Sequence, residues 1–218
     1  MGLTVLHCPP AADHKFDVVV VPGLGGHAFG SFKERNGDHM WPRDSLPDAL
    51  AIGTSCISNA RVMTYGYEST VQSSESVQHI GDIAESFHGS LNELARGRDP
   101  KPIIFIGHSM GGLVIKEALL LLSQSEDAND QKLSRAARGI AFFGVPHAGM
   151  NVESIRAMAG NNPNRSLIDS LSGENSYVLT QQSRRFNRLL DNTDSKINVV
   201  YFYETVMSPT AQQLRRLR

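Results

Sequence analysis

Cysteine is scarce in this 218-residue chain: Cys8 and Cys56 are the only two, far apart and in no C-x-x-C pair. That excludes a disulfide framework and a cysteine-based zinc site, and it suits a reducing compartment. An excess of one charge is also missing. With 21 Lys+Arg against 22 Asp+Glu the net charge is −1, so nothing marks a nucleic-acid partner or a polybasic membrane anchor. No apolar run approaches the roughly 20 residues of a membrane span. The N-terminus runs from a short apolar stretch into Pro9, Pro10, Asp13 and His14, which is no secretory signal. No internal repeat, low-complexity tract, metal-ligand spacing or cofactor requirement emerges. The expectation is a soluble, intracellular, cytoplasmic chain, long enough for one domain with a sizeable core.

What is present is organised around the stretch from Pro102 to Ile115. An apolar, β-branched run leads into a turn of small residues and then a long apolar helix pattern. The turn, Gly107-His108-Ser109-Met110-Gly111, satisfies G-x-S-x-G, the nucleophile elbow of α/β-hydrolases. A serine on so tight a strand-to-helix turn adopts a strained backbone, and glycine on either side lets strand and helix close around it. The helix N-terminus then offers N–H groups and its positive dipole end to a developing oxyanion. The competing reading is a glycine-rich turn whose serine only caps the helix.

Taken in order, Leu3–His7 reads as an edge strand and Phe16–Val21 as a strand buried on both faces. Ser45–Ile52 reads as a short helix and Ala60–Tyr65 as a strand. Ser73 and Ser74 offer an N-cap for a helix whose stripe is Val77, Ile80, Ile83, Ala84, Phe87, Leu91 and Leu94. His79 and His88 lie off that stripe and are expected to face solvent. Leu113–Leu122 is apolar almost all round and should be the most buried helix. Ser123–Arg138 reads as a polar surface connection, Gly139–Phe143 as a strand, and Ile197–Tyr203 as the last strand. Residues 150–195 show broken helical patterns, either a cap over the site or ordinary packing helices. The reading is an α/β fold with a mostly parallel open sheet and helices on both faces. Its domain spans residues 1–208, with a polar, basic tail over 209–218. Ser109 should end a central strand flanked by the Val18–Val21 and Ile140–Phe143 strands.

The second chemical feature follows the Phe16–Val21 strand: Pro22-Gly23-Leu24-Gly25-Gly26-His27. Glycines there turn backbone N–H groups toward a ligand, as the second half of an oxyanion hole requires. Residues 23–28 also match the dinucleotide fingerprint G-x-G-x-x-G/A. That motif needs an immediate helix and a second strand ending in an acid; Pro42 and Arg43 precede Asp44 instead, and the nucleotide reading fails on context.

Several phrases together resemble a known family: Val19–His27, Trp41–Asp44, Thr64–Tyr67, Ile104–Lys116, Phe143–Gly149 and Phe202–Thr205. They are similar to the serine esterase/lipase-like domain of the serine-active-site-containing protein family, over residue 3 to Pro209. Such domains are frequent at the N-termini of fungal proteins with NACHT and repeat modules. The resemblance implies an α/β-hydrolase acting on small-molecule or lipid esters, and association with endoplasmic reticulum or mitochondrial membranes from outside the bilayer. It also implies fusion to, or assembly with, such modules in longer relatives. It differs at Pro22, where the family has histidine; proline lacks an N–H, but the donor sought there is the Leu24 amide.

In the complete mechanism Ser109 attacks, a histidine takes its proton, an acid orients that histidine, and the amides of Leu24 and Met110 hold the oxyanion. The triad order is serine, acid, histidine. Glu204, directly after the last strand, fits the acid, while Asp191 and Asp194 precede that strand. Of the eight histidines the last is His147, so none follows Glu204 and the strand that should carry one is absent. Gly23, Gly25, His27, His108 and His147 are expected at the site rim, with His108 pointing away from Ser109. Three readings stay open: an ester hydrolase domain truncated before its histidine, a non-catalytic binding module on the same fold, and a fragment that cannot fold stably.

Overall fold

The computed structural model describes residues 1–51, 58–97, 99–191 and 197–205. Cys56 and the tail over 209–218 lie outside them, as does Asp194. In chain order the elements are β1 (Gly2–His7), β2 (Phe16–Val21), α1 (Trp41–Asp44), α2 (Leu46–Ala49), β3 (Ala60–Gly66), α3 (Ile80–Ala95), β4 (Ile103–His108), α4 (Met110–Gln124), α5 (Ala128–Ala136), β5 (Ala137–Phe143), α6 (Glu153–Ala159), α7 (Arg165–Ser170), α8 (Ser176–Asp191) and β6 (Asn198–Phe202). The sheet order is β1-β3-β2-β4-β5-β6. Only β1 runs antiparallel to its neighbour; every other pairing is parallel. β4, which leads to Ser109, lies between β2 and β5, as its unbroken apolar run demands.

One face of the sheet carries Val19, Val21, Phe105, Ile140 and Phe142 and packs against α3, α4 and α8. α4 is buried nearly all round because it lies between β4 and the helices α3, α5 and α8. The other face carries Val18, Val20, Val62 and Ile106, covered by Phe32, Met40, Trp41 and the short α1 and α2. At the N-terminal ends of the strands, Arg61 on β3 grips buried Asp17 on β2 through two bonds of 2.7 and 2.9 Å.

Three expectations are corrected. The helix after β3 starts at Ile80, not behind Ser73 and Ser74; His79 is its N-cap, in a capping box with Asp82. Ser73 instead takes a left-handed turn, and Val77 is exposed. His88 does not face open solvent: it bonds Asp130 at 2.7 Å and so ties α3 to α5. Residues 123–138 are not a bare surface connection, because Asp127 caps α5, which buries Leu133 and Ala136 against the core. In the 150–191 region α8 packs on α4, with Gln182 donating to Leu113 O at 3.2 Å. α6 and α7 instead lean toward the chain after β3, where Asn164 donates to Thr70 O at 2.9 Å.

Candidate active site

Ser109 stands between β4 and α4 with φ 50° and ψ −129°. A left-handed non-glycine backbone costs about 1–3 kcal/mol and persists only where its surroundings over-determine it. Here they do. The Ser109 N–H donates to Phe143 O on β5 at 2.9 Å, and its carbonyl accepts from Gly112 N at 3.0 Å. The flanking glycines answer to contact: a Cβ on Gly107 would fall 2.6 Å from Gly112 Cα, and one on Gly111 would fall 2.4 Å from the carbonyl oxygens of Val21 and Pro22. The hydroxyl makes no cap bond to α4, so it is not spent on the helix.

The loop after β2 lies directly on the elbow. A Cβ on Gly23 would meet Ser109 Cβ at 2.7 Å and Oγ at 3.2 Å. The segment after β3 fixes the loop's shape: Tyr67 Oη donates to Pro22 O at 2.8 Å, and the Gly25 N–H donates to Ser69 O at 2.6 Å. The Ser69 hydroxyl donates to Gly26 O, and Thr64 Oγ1 donates to Ala28 O at 2.9 Å. Burial pushes the Tyr67 phenol well above its usual range, so it stays a donor. Sequence reasoning missed Tyr67 and Ser69. The phrase Thr64–Tyr67 was the available signal, and nothing in it assigned a role. Gly25 has spent its N–H on this anchoring. The Leu24 N–H has no acceptor among the described residues. Met110 is the first residue of α4, where a helix leaves its N–H groups without intrahelical partners.

All eight histidines lie within the described residues, and none hydrogen-bonds Ser109 Oγ. His27 is turned into its own loop, where Nδ1 accepts from the N–H groups of Phe29 and Gly30 at 3.2 and 3.3 Å. His108 lines the sheet face of Ile106 and Phe143, away from α4. Burial lowers its pKa, and the Glu204 carboxylate acts in the opposite direction. Glu204, exposed just past β6, therefore lies within electrostatic reach of His108, the residue before Ser109, while Asp191 ends α8 ahead of β6.

His147 sits on the α4 face, edge-on to Phe142 at 5.0 Å and to Tyr201 at 5.3 Å. Its Nδ1 is buried without a hydrogen-bond partner. Burial first, and the charge of Lys116 second, depress its pKa to about 4. Lys116, 3% exposed, lies over the rings of Phe142 and Phe186 and donates to Ser183 Oγ at 3.2 Å. Burial brings its pKa down to about 8. Ser183 donates in turn to His147 O at 3.2 Å, so the loop after β5 is tied through α8 to α4, the helix that follows Ser109. The structure thus sets Gly23 against Ser109, brings Glu204 within electrostatic reach of His108, and leaves His27 and His147 without a hydrogen bond to the hydroxyl.

The sequence model of the alpha/beta hydrolase family matches residues 18–216. The chain belongs to this family. Protein SERAC1 of Danio rerio is 28% identical to this chain over 170 residues, covering 68% of this chain and 24% of that protein. Protein SERAC1 of Mus musculus is 29% identical over 162 residues, with the same shares. The chain thus spans about a quarter of the length of these curated relatives. Among solved structures, the mature lipase BlEst2 of Bacillus licheniformis matches with TM-score 0.54 at 14% identity, over 91% of this chain and 70% of that one. A variant of YbtT, the type II thioesterase of the yersiniabactin pathway, matches with TM-score 0.50 at 16% identity, over 99% and 84%. At these identities the likeness is one of fold. No helix among the described residues is long and apolar enough to cross a membrane.

Proposed function

We propose that this hydrolase is a serine ester hydrolase module that cleaves carboxylic esters, lipid esters among them, through a Ser109 acyl-enzyme. The observation that carries the reading is the strained Ser109 backbone pressed against the Gly23 loop, an arrangement that costs stability and leaves the hydroxyl unspent on the helix. Ser109 Oγ attacks the acyl carbonyl and gives its proton to an imidazole, while the amides of Leu24 and Met110 hold the oxyanion. The intermediate collapses, the alcohol leaves with that proton, and water then releases the acid by the same route. Glu204 is the acid that orients the imidazole.

No imidazole of the described residues hydrogen-bonds Ser109 Oγ, so ester hydrolysis is slow in this arrangement, and the acyl-transfer reading calls for a histidine brought to that hydroxyl. That same observation favours a second reading, a non-catalytic module binding a ligand on the hydrolase fold. Labelling by a fluorophosphonate probe separates the two. Little labelling is expected for the 218-residue chain and brisk labelling for a chain extended by its downstream coding sequence, abolished by Ser109→Ala. In the extended chain Glu204→Gln should slow labelling about 10²–10⁴-fold, and Asp191→Asn should leave it unchanged. No labelling of either chain establishes the binding module. Brisk labelling of the short chain that His147→Ala silences would make His147 the base.

A further inference from the structure

Residues 67–71 hold the loop from Pro22 to Gly26, and the bonds fall on successive peptide planes. Tyr67 Oη donates to Pro22 O at 2.8 Å, which sets the plane between residues 22 and 23. The Gly25 N–H donates to Ser69 O at 2.6 Å, which sets the plane between 24 and 25. The plane between those two is set within the loop, because Gly23 O accepts from the Gly26 N–H at 3.1 Å. In a planar trans peptide the N–H points opposite to the carbonyl. With Gly23 O turned to Gly26, the Leu24 N–H is turned the other way, and it stays unbonded among the described residues. Gly25 makes the turn at φ 71°, with Val71 Cγ2 3.4 Å from where a Cβ would stand. Residues 67–71 are held in turn by α7. Asn164, 1% exposed, is the N-cap residue of α7 but makes no cap bond to it. Its Nδ2 reaches across instead, donating to Thr70 O at 2.9 Å and to Val71 O at 3.1 Å. Contacts thus run from α7 through 67–71 to the loop that Gly23 presses on Ser109.

We infer that residues 67–71 preset the Leu24 amide for acyl transfer, with Tyr67 and Asn164 as positioning residues that act through the loop. The inference rests on the reading of that amide as an oxyanion donor for esters attacked at Ser109. Glycine gives a loop many backbone states, and Gly23, Gly25 and Gly26 stand together here. An amide stabilises a transition state only when it is aimed before the charge develops. The bonds from Tyr67 and to Ser69 remove the freedom that the glycines introduce. The Tyr67 ring stacks on Tyr65 at 6.0 Å, which keeps its hydroxyl on the Pro22 carbonyl. α7 gains a task other than covering the site: through Asn164 it secures the segment that secures the loop.

Tyr67→Phe removes one hydroxyl and keeps the ring on Tyr65, and Asn164→Ala removes the hold from α7. Tyr65→Phe is the control: it takes a phenol from the same stack that makes no bond to the loop among the described residues. Fluorophosphonate labelling of the chain extended by its downstream coding sequence gives a limiting rate and a half-saturating probe concentration. Amide exchange at Gly25 and Gly26 is followed in the 218-residue chain. Tyr67→Phe should lower the limiting rate about 10–100-fold, short of the roughly 10²–10³-fold that follows loss of an oxyanion donor outright. Half-saturation should stay within about twofold, as expected for an interaction made only in the transition state. Asn164→Ala should give a smaller drop in the same quantity. Both should speed exchange at Gly25 and Gly26 about tenfold or more, and Tyr65→Phe should leave rate and exchange at the parent values. If Asn164→Ala does not fold, Tyr67→Phe against Tyr65→Phe decides. Labelling at Ser109 that Tyr67→Phe leaves unchanged overturns the positioning role and leaves the serine hydrolase intact. A drop that Tyr65→Phe matches, or one seen only in half-saturation, also overturns it, because general packing or probe binding would then be the cause. A parent chain whose loop exchanges slowly but which never labels overturns both the positioning role and the reading beneath it.

Discussion

The two faces of the sheet are built to different standards. On the α4 face, Phe87, Phe105 and Phe142 are fully buried, α3, α4 and α8 interlock, and even a lysine is held inside. On the opposite face, cover comes from two one-turn helices and the chain around Phe32 and Met40. Toward β6 that cover runs out: Val200 and Phe202 are 52% and 48% exposed, with Phe202 stacked among the described residues on Phe143 at 4.4 Å. The Ser109 backbone is anchored where packing is dense. Glu204 and His108 lie where packing is thin. Precision at Ser109 needs over-determination, whereas a ligand needs room.

The largest expected effect tests that contrast in the core. Phe87→Ala should cost about 3–5 kcal/mol, since a fully buried ring leaves a cavity. Phe202→Ala should cost about 1 kcal/mol, mostly the lost stacking. In a domain of this size, where each kcal/mol shifts Tm by about 2–4 °C, thermal unfolding resolves the two. Equal losses would mean that something covers Phe202 in solution and that the faces are not unequal.

The elbow offers a sharper version. A methyl on Gly111 meets the Val21 and Pro22 carbonyls at 2.4 Å, and backbone cannot give way as a side chain can. Gly111→Ala should therefore cost about 1–3 kcal/mol and remove phosphonate labelling of an active, extended chain. Gly89, in the middle of α3, has no atom within 4 Å of its would-be Cβ. Gly89→Ala should stabilise by about 0.5–1 kcal/mol, the backbone entropy that glycine forfeits in a helix. If both substitutions move Tm the same way, the contact account of the elbow fails.

These glycines also show why part of the molecule was legible in the sequence. G-x-S-x-G states a short-range steric demand, and the strain it implied is present in the Ser109 backbone. The buried runs of β2, β4 and β5 named the central strands because a parallel strand covered on both faces has no alternation. The misses share another cause. His79 as a cap, His88 on Asp130 and Tyr67 on Pro22 O use polar side chains whose partners lie on other elements, or in a turn that no periodicity describes. Ser73 and Ser74 had the right chemistry for a cap and the wrong place, since the apolar stripe that holds the helix down begins only at Ile80. His147 was placed at the rim by its position after β5. Its burial between Phe142 and Tyr201 depended on β6, which is remote in sequence.

The smallest effect compares one histidine from each face. His147 on the α4 face has its pKa depressed to about 4, by burial and then by Lys116. His108 on the open face is lowered by burial, and Glu204 works against that shift. A buried neutral imidazole that the unfolded chain would protonate makes stability rise with pH across the gap between the two pKa values. The His147 contribution is therefore complete above about 6.5, the ordinary histidine value, and is lost as pH falls toward 4. His147→Phe keeps the ring packing and removes the titration, so its Tm should fall less than the parent's between those limits and match its slope at higher pH. Histidine resonances followed by NMR should place the His147 midpoint well below that of His108. Lys116→Met, which removes the second cause while keeping the volume, should move the His147 midpoint upward and leave His108 in place. A His147 midpoint near 6.5 would show that water reaches the ring, and the dense face would then be no denser at that position than the open one.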